Sequence, residues 1–148
     1  MLKVRLTKEF RFEMAHALEG YDGLCKNMHG HSYILEVTVI GTPIAQPNHP
    51  KLGMVMDFGD LKRIVNPLIV ERFDHSVSVM ANTSTHKKLI DVGLQRVEPL
   101  PFQPTCENMI DYFAKIIIEK LPEGVSLHHL KLNETATSYA EWYASDNL

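Results

Sequence analysis

The chain predicts an α+β fold built on an antiparallel sheet, with its elements in the order ββααββ. Period-two hydrophobic alternation occupies both ends of the chain, and two stretches of helical periodicity lie between them. With no internal repeat and no low-complexity segment, the 148 residues read as a single domain, 1–148, long enough to bury a core.

The first strand covers residues 2 to 16, where Leu2, Val4, Leu6, Phe10, Phe12 and Met14 all fall on even positions. His16 keeps that parity and belongs to the same face. A turn-rich loop, EGYDGLCKNMHG, leads to a second strand over 31–41, HSYILEVTVIG, rich in β-branched and aromatic residues. Prolines make 42–53 a loop. Residues 54–74 then carry a helical stripe (Phe58, Leu61, Ile64, Val65, Leu68, Ile69), with Asp57 or Asp60 as its cap. Pro67 has no N–H to donate and must kink this helix or start a new turn. Residues 76–103 read as irregular and polar, with a short helix near STHKKLIDVGL. The clearest helix follows Thr105, its N-cap, with Glu107 in the first turn and Ile110, Phe113, Ala114, Ile117 and Leu121 as the buried stripe. SLHHLKLNET and SYAEWYA close the chain as two strands.

Composition narrows the function classes. The chain is 45% hydrophobic and 22% charged with a net charge of −3, which gives no reason to expect nucleic acid or a membrane as partner. No apolar run reaches the roughly 18 residues of a membrane span. The alternating N-terminus is unlike a signal peptide, so a cytoplasmic protein is expected, with Cys25 and Cys106 unpaired.

Eight histidines are many for this length. His29 and His31 are two apart in a strand and share a face, with Gly30 between them leaving room for backbone or substrate. If the first two strands pair antiparallel, His16 completes a set of three imidazoles with a fourth position open, the arrangement of a catalytic zinc site. Cys25, close to such a metal, would act as base or nucleophile. Blander readings exist: His29 and His31 as half-exposed strand residues, His16 as a core histidine, Cys25 as a small buried hydrophobe. Gly23, His29, His31 and Glu36 also nearly match the first metal motif of a cupin. Glu36 has the wrong parity for that, however, and the second cupin motif is missing.

Taken together, FRFEMAHAL, CKNMHGH, GMVMDFGDLK, FDHS, PTCEN and LNET resemble the 6-pyruvoyl- and 6-carboxy-tetrahydropterin synthase family over most of the chain. The resemblance implies a tunnelling fold in which two antiparallel strand pairs enclose two helices packed on one face. Strands then close a barrel in a trimer, and two trimers stack into a homohexamer. It implies zinc on His16, His29 and His31, and Cys25 as the proton-abstracting base. Asp74, His75 and Glu134 are implied as catalytic or pterin-anchoring, with Thr105 and Glu107 as substrate-binding residues. Each also has a plainer reading: Asp74–His75 as a helix end with a surface imidazole, Glu107 as support for the helix start, Glu134 as a solvent-facing strand residue. His49, His86, His128 and His129 gain no role and are read as surface residues.

Only Lys26, Asn27 and Met28 separate Cys25 from His29, which is similar to the bacterial 6-carboxy branch of the queuosine pathway. The resemblance therefore implies a pterin substrate, 7,8-dihydroneopterin triphosphate, converted to 6-carboxy-5,6,7,8-tetrahydropterin with loss of acetaldehyde and triphosphate. The alternatives are a 6-pyruvoyl synthase, which eliminates triphosphate, and a pterin-binding paralogue with a changed substrate. The long insert at about 76–103 departs from a compact family member and is expected to reshape the substrate pocket.

Overall fold

The computed structural model describes residues 2–21 and 27–148. Strands β1 (Val4–His16) and β2 (His29–Gly41) pair antiparallel along their whole length, from Val4 opposite Gly41 to His16 opposite His29. Alternation places even residues of β1 and odd residues of β2 inward, where Phe12 stacks on Tyr33 with ring centroids 5.2 Å apart. β2 begins two residues earlier than expected, so both of its histidines lie on the paired strand.

Asp57 caps α1 (Phe58–Val65) by accepting the Gly59 N–H at 2.7 Å. At Pro67 the helix does not break. It widens into a π-helical turn over Asn66–Val70 and resumes as α2 (Glu71–Phe73). Helix α4 (Cys106–Ile118) starts at Thr105, whose hydroxyl accepts the Asn108 N–H. β5 (Val125–Thr135) and β6 (Ser138–Tyr143) follow, and a short α5 (Ala144–Asn147) ends the chain.

The segment 76–103, expected to be irregular, is a βαβ unit: β3 (Ser76–Met80), α3 (Ser84–Asp91) and β4 (Val97–Leu100). β3 runs parallel to β1, and β4 parallel to β3. The expected all-antiparallel sheet is thus corrected to a mixed one, ordered β4-β3-β1-β2-β5-β6. Sequence alternation could not reveal β3, because its first four residues are buried on both faces, and Pro99 masks β4, an edge strand that tolerates it.

The two expected helical stretches pack on the inner face. Leu61, Val65, Ile69 and Phe73 from one side, and Ile110, Phe113 and Ile117 from α4, are at most 4% exposed against Phe12, Leu35 and Leu132. Burying a side chain such as Phe113 contributes roughly 1.5–3 kcal/mol, so this layer dominates stability. α3 covers the other face, where Leu89 packs with Val77, Val79 and Ala15. No helix among the described residues is long and apolar enough to cross a membrane.

Candidate metal centre

The β1–β2 register brings His16 and His29 face to face, and His31 lies one inward position further along β2. One ligand atom from each of the three imidazoles falls within 4.8 Å of the others. The site sits at the edge of the core: His16 is 1% exposed, while His29 and His31 are half-buried.

Two backbone carbonyls set the ring protons. His16 Nδ1 lies 2.8 Å from the Pro104 carbonyl, and His29 Nδ1 lies 2.7 Å from that of Asn27. A carbonyl can only accept, so in both rings Nδ1 carries the proton and the neutral ring leaves a bare lone pair on Nε2. Those two Nε2 atoms are 3.1 Å apart. Neutral rings of this tautomer have no proton to share between them, and their two lone pairs converge where a cation can sit. The donor set therefore fits a metal, and nitrogen ligation with carbonyl-oriented imidazoles suits Zn2+.

Glu134, on the inner face of β5, adds negative charge. Its Oε1 is 3.4 Å from His16 Nε2 and 3.6 Å from His31 Nε2. Burial pushes the titration of His16 and His31 below the ordinary imidazole range, opposed at His16 by the Pro104 contact and Glu134 and at His31 by Glu134, which keeps their lone pairs available.

Asp74 and His75 form a dyad at another place. His75 Nδ1 is 2.9 Å from Asp74 Oδ2, while Asp74 Oδ1 accepts the Glu13 N–H at 2.8 Å. His75 has a left-handed backbone (φ 60), held by its N–H donating to the Glu13 carbonyl at 2.6 Å. Its side chain is 75% exposed and borders a groove that it shares with Glu13, Ala15, Gly30, Ser32 and His31. Among the described residues no hydrogen bond, ion pair or ring contact joins it to the three histidines. The dyad is anchored instead to the backbone of Glu13 in β1.

The remaining expected residues divide. Cys25 lies outside the described residues. Thr105 spends its hydroxyl on the helix cap, and Glu107 is exposed in the first turn of α4, where its charge favours the helix dipole. His49, His86 and His129 serve local contacts: His49 and His86 accept backbone N–H groups, and His129 meets Glu141 at 3.2 Å. All three, with His128, are half-buried.

Sequence reasoning missed the Pro104 and Asn27 carbonyls, which carry no residue-type signature. It also missed Tyr33, which parity alone identifies as the next inward ring after His29 and His31. Tyr33 is 1% exposed, and its hydroxyl has no partner among the described residues.

Comparison with known proteins identifies relatives of the whole chain. The profile of the family described as 6-pyruvoyl tetrahydropterin synthase matches residues 5–145. A protein of Haemophilus influenzae named 6-carboxy-5,6,7,8-tetrahydropterin synthase is 36% identical over 144 residues, covering 93% of this chain and 97% of the relative. A protein of the same name from Aquifex aeolicus is 33% identical, covering 95% and 98%. In fold, the chain is similar to the 6-pyruvoyl tetrahydropterin synthase of Caenorhabditis elegans (TM-score 0.69, 22% identity, 97% of each chain). An uncharacterized protein from Wolinella succinogenes is also similar, with a TM-score of 0.78, 19% identity and coverage of 97% and 99%. With the profile spanning almost the whole sequence, the chain belongs to the 6-pyruvoyl tetrahydropterin synthase family.

Proposed function

We propose that the protein is a zinc-dependent lyase acting on 7,8-dihydroneopterin triphosphate, giving 6-carboxy-5,6,7,8-tetrahydropterin with loss of acetaldehyde and triphosphate. The observation that carries this reading is the pair of Nε2 lone pairs facing each other at 3.1 Å beside a third imidazole. The names of the Haemophilus and Aquifex relatives support the product, as does the three-residue spacing between Cys25 and His29.

When bound at His16, His29 and His31, zinc supplies a Lewis acid that polarises the hydroxyls of the substrate side chain and acidifies the neighbouring C–H. Cys25, as thiolate, removes that carbon-bound proton. Glu134 accepts hydrogen bonds from the pterin amino group and ring N–H, a bidentate match for a carboxylate. Thr105 and Glu107 border the pterin end. His75, aligned by Asp74, carries protons to and from the reacting carbons. Since no hydrogen bond or ion pair joins the dyad to its own histidines among the described residues, we assign that role to the site of a neighbouring copy, in the proposed trimer or hexamer of a cytoplasmic enzyme of queuosine biosynthesis.

The test is product identity. Zinc-loaded protein incubated with dihydroneopterin triphosphate should release acetaldehyde and a 6-carboxy pterin, both identified by mass. A 6-pyruvoyl product, which the family description favours, would replace the branch assignment and leave the metal centre standing. Zinc binding without turnover would instead point to a paralogue with a changed substrate.

A further inference from the structure

The long segment 76–103 has no part in the chemistry above, yet it touches the metal centre through three consecutive ties. First, β3 pairs with the last residues of β1, placing Ser76 beside Met14 and Ser78 beside His16, and Ser78 Oγ donates to Met14 Sδ at 3.2 Å. Second, the first turn of α3 holds Glu19: Ser84 Oγ donates to its carboxylate at 2.9 Å, and Thr85 Oγ1 donates to the other oxygen. Third, Gln103 grips the Glu19 backbone from both sides. Its Oε1 accepts the Glu19 N–H at 3.0 Å, and its Nε2 donates to the Glu19 carbonyl at 2.7 Å. The next residue, Pro104, is the one whose carbonyl receives His16 Nδ1–H. Glu19 is thus bound through its side chain to the start of α3 and through its backbone to Gln103, the residue before the carbonyl that orients a metal ligand.

We propose that the 76–103 unit is a positioning scaffold for the metal centre, with Glu19 and Gln103 as positioning residues that hold the Pro104 carbonyl against His16. It does not recognise substrate. The Gln103 amide and the His16–Pro104 contact are neighbouring rungs between the same two chain segments. Releasing the first loosens the second, and carbonyl partners of ligating histidines are typically worth about 10–100-fold in metal affinity or activity. The same unit steadies the Asp74–His75 turn, because Arg96 Nη2 donates to the carbonyls of Asp74 (2.6 Å) and Glu71 (2.9 Å).

The experiment compares wild type, Gln103→Met, Glu19→Ala and Glu19→Gln as full-length protein. Gln103→Met keeps the side-chain length and removes both hydrogen bonds. Glu19→Gln keeps an acceptor for the α3 hydroxyls. Three readouts are taken: the rate at which zinc-loaded protein loses Zn2+ to excess chelator, amide exchange over residues 17–21 of metal-free protein, and kcat with KM on dihydroneopterin triphosphate. Gln103→Met and Glu19→Ala should release zinc and exchange amides about tenfold faster and lower kcat with KM unchanged, while Glu19→Gln recovers most of the loss. Wild-type release and exchange in both variants overturns the proposal, even if their thermal midpoints fall. The kcat arm alone rests on the proposed function: if wild type fails to turn over, that function falls, and release and exchange still decide the scaffold.

Discussion

Glu134 offers the sharpest quantitative test, because the structure places its carboxylate against the metal ligands themselves. Replacing it by glutamine keeps the shape and removes the charge. Oε1 is 3.4 and 3.6 Å from the His16 and His31 Nε2 atoms that would hold the cation, so a separation of about 4 Å serves for an order-of-magnitude figure. At an effective dielectric of about 20, a unit charge pair at that distance is worth about 4 kcal/mol. Glu134 is 26% exposed, and solvent screening reduces this to about 1–2 kcal/mol, or roughly a 5- to 30-fold loss of zinc affinity. Competition for Zn2+ against a chromophoric chelator, run at fixed pH and two ionic strengths, measures it. The loss should shrink at high salt. Zinc affinity within twofold of wild type at low salt refutes the reasoning and leaves Glu134 with the pterin alone. In turnover assays the same variant should raise KM, since an amide cannot accept both pterin hydrogen bonds.

Cys25→Ala should abolish turnover and leave zinc content intact; full activity would remove Cys25 from the mechanism. Burial, aided by the Glu134 charge, pushes the Cys106 thiol up to about 11, so folded protein treated with iodoacetamide at pH 8 should be alkylated at Cys25 and spared at Cys106. Peptide mass mapping decides, and rapid labelling of Cys106 contradicts its burial. The Glu13 N–H, and after it His75, hold the Asp74 carboxyl below the usual carboxylate range. Its contribution to stability is therefore present above its unfolded pKa of about 3.9 and is lost as pH falls through the folded value. Asp74→Asn should flatten the decline of denaturant midpoints in acid, and an unchanged slope speaks against it. Phe113→Ala, at the meeting point of Phe12 and Phe73, should lose about 3–5 kcal/mol in denaturant titration; a loss below 1 kcal/mol would mean the core closes around the cavity.

How much of the molecule is legible in its residues follows the range of the forces involved. Period-two alternation is local: it assigns His16 to the apolar face of the first strand and His29 with His31 to one face of the second, and only the pairing of the two strands joins them. Thr105 and Asp57 are legible for the same reason, since a cap needs only its own first turn. β3 and β4 are not, because they are stabilised by partners distant in sequence and leave no periodic trace. The Pro104 carbonyl is illegible on principle: every residue has one, and only the fold decides which meets a histidine 88 residues away. Motif resemblance picks out Asp74, His75 and Glu134 but says nothing of distance. The structure brings Glu134 to the three imidazoles and sets the dyad apart.

The register of β1 against β2 ties the chemistry to the core. A slip of one residue would turn His29 and His31 to the outer face together with Tyr33 and Leu35, because side chains alternate with a period of two. The same slip would bury Ser32 and Ile34 in their place against Phe10 and Phe12. The packing of those aromatic and aliphatic side chains therefore excludes the wrong register at a cost no metal needs to supply, and the three imidazoles converge whether or not the metal is present. A metal taken up there would meet a site already assembled and relieve two opposed lone pairs instead of ordering a loose chain. On this argument the metal contributes to stability mainly through the mouth of the β1–β2 pair, and the helical core opposite Phe12 holds its shape without it.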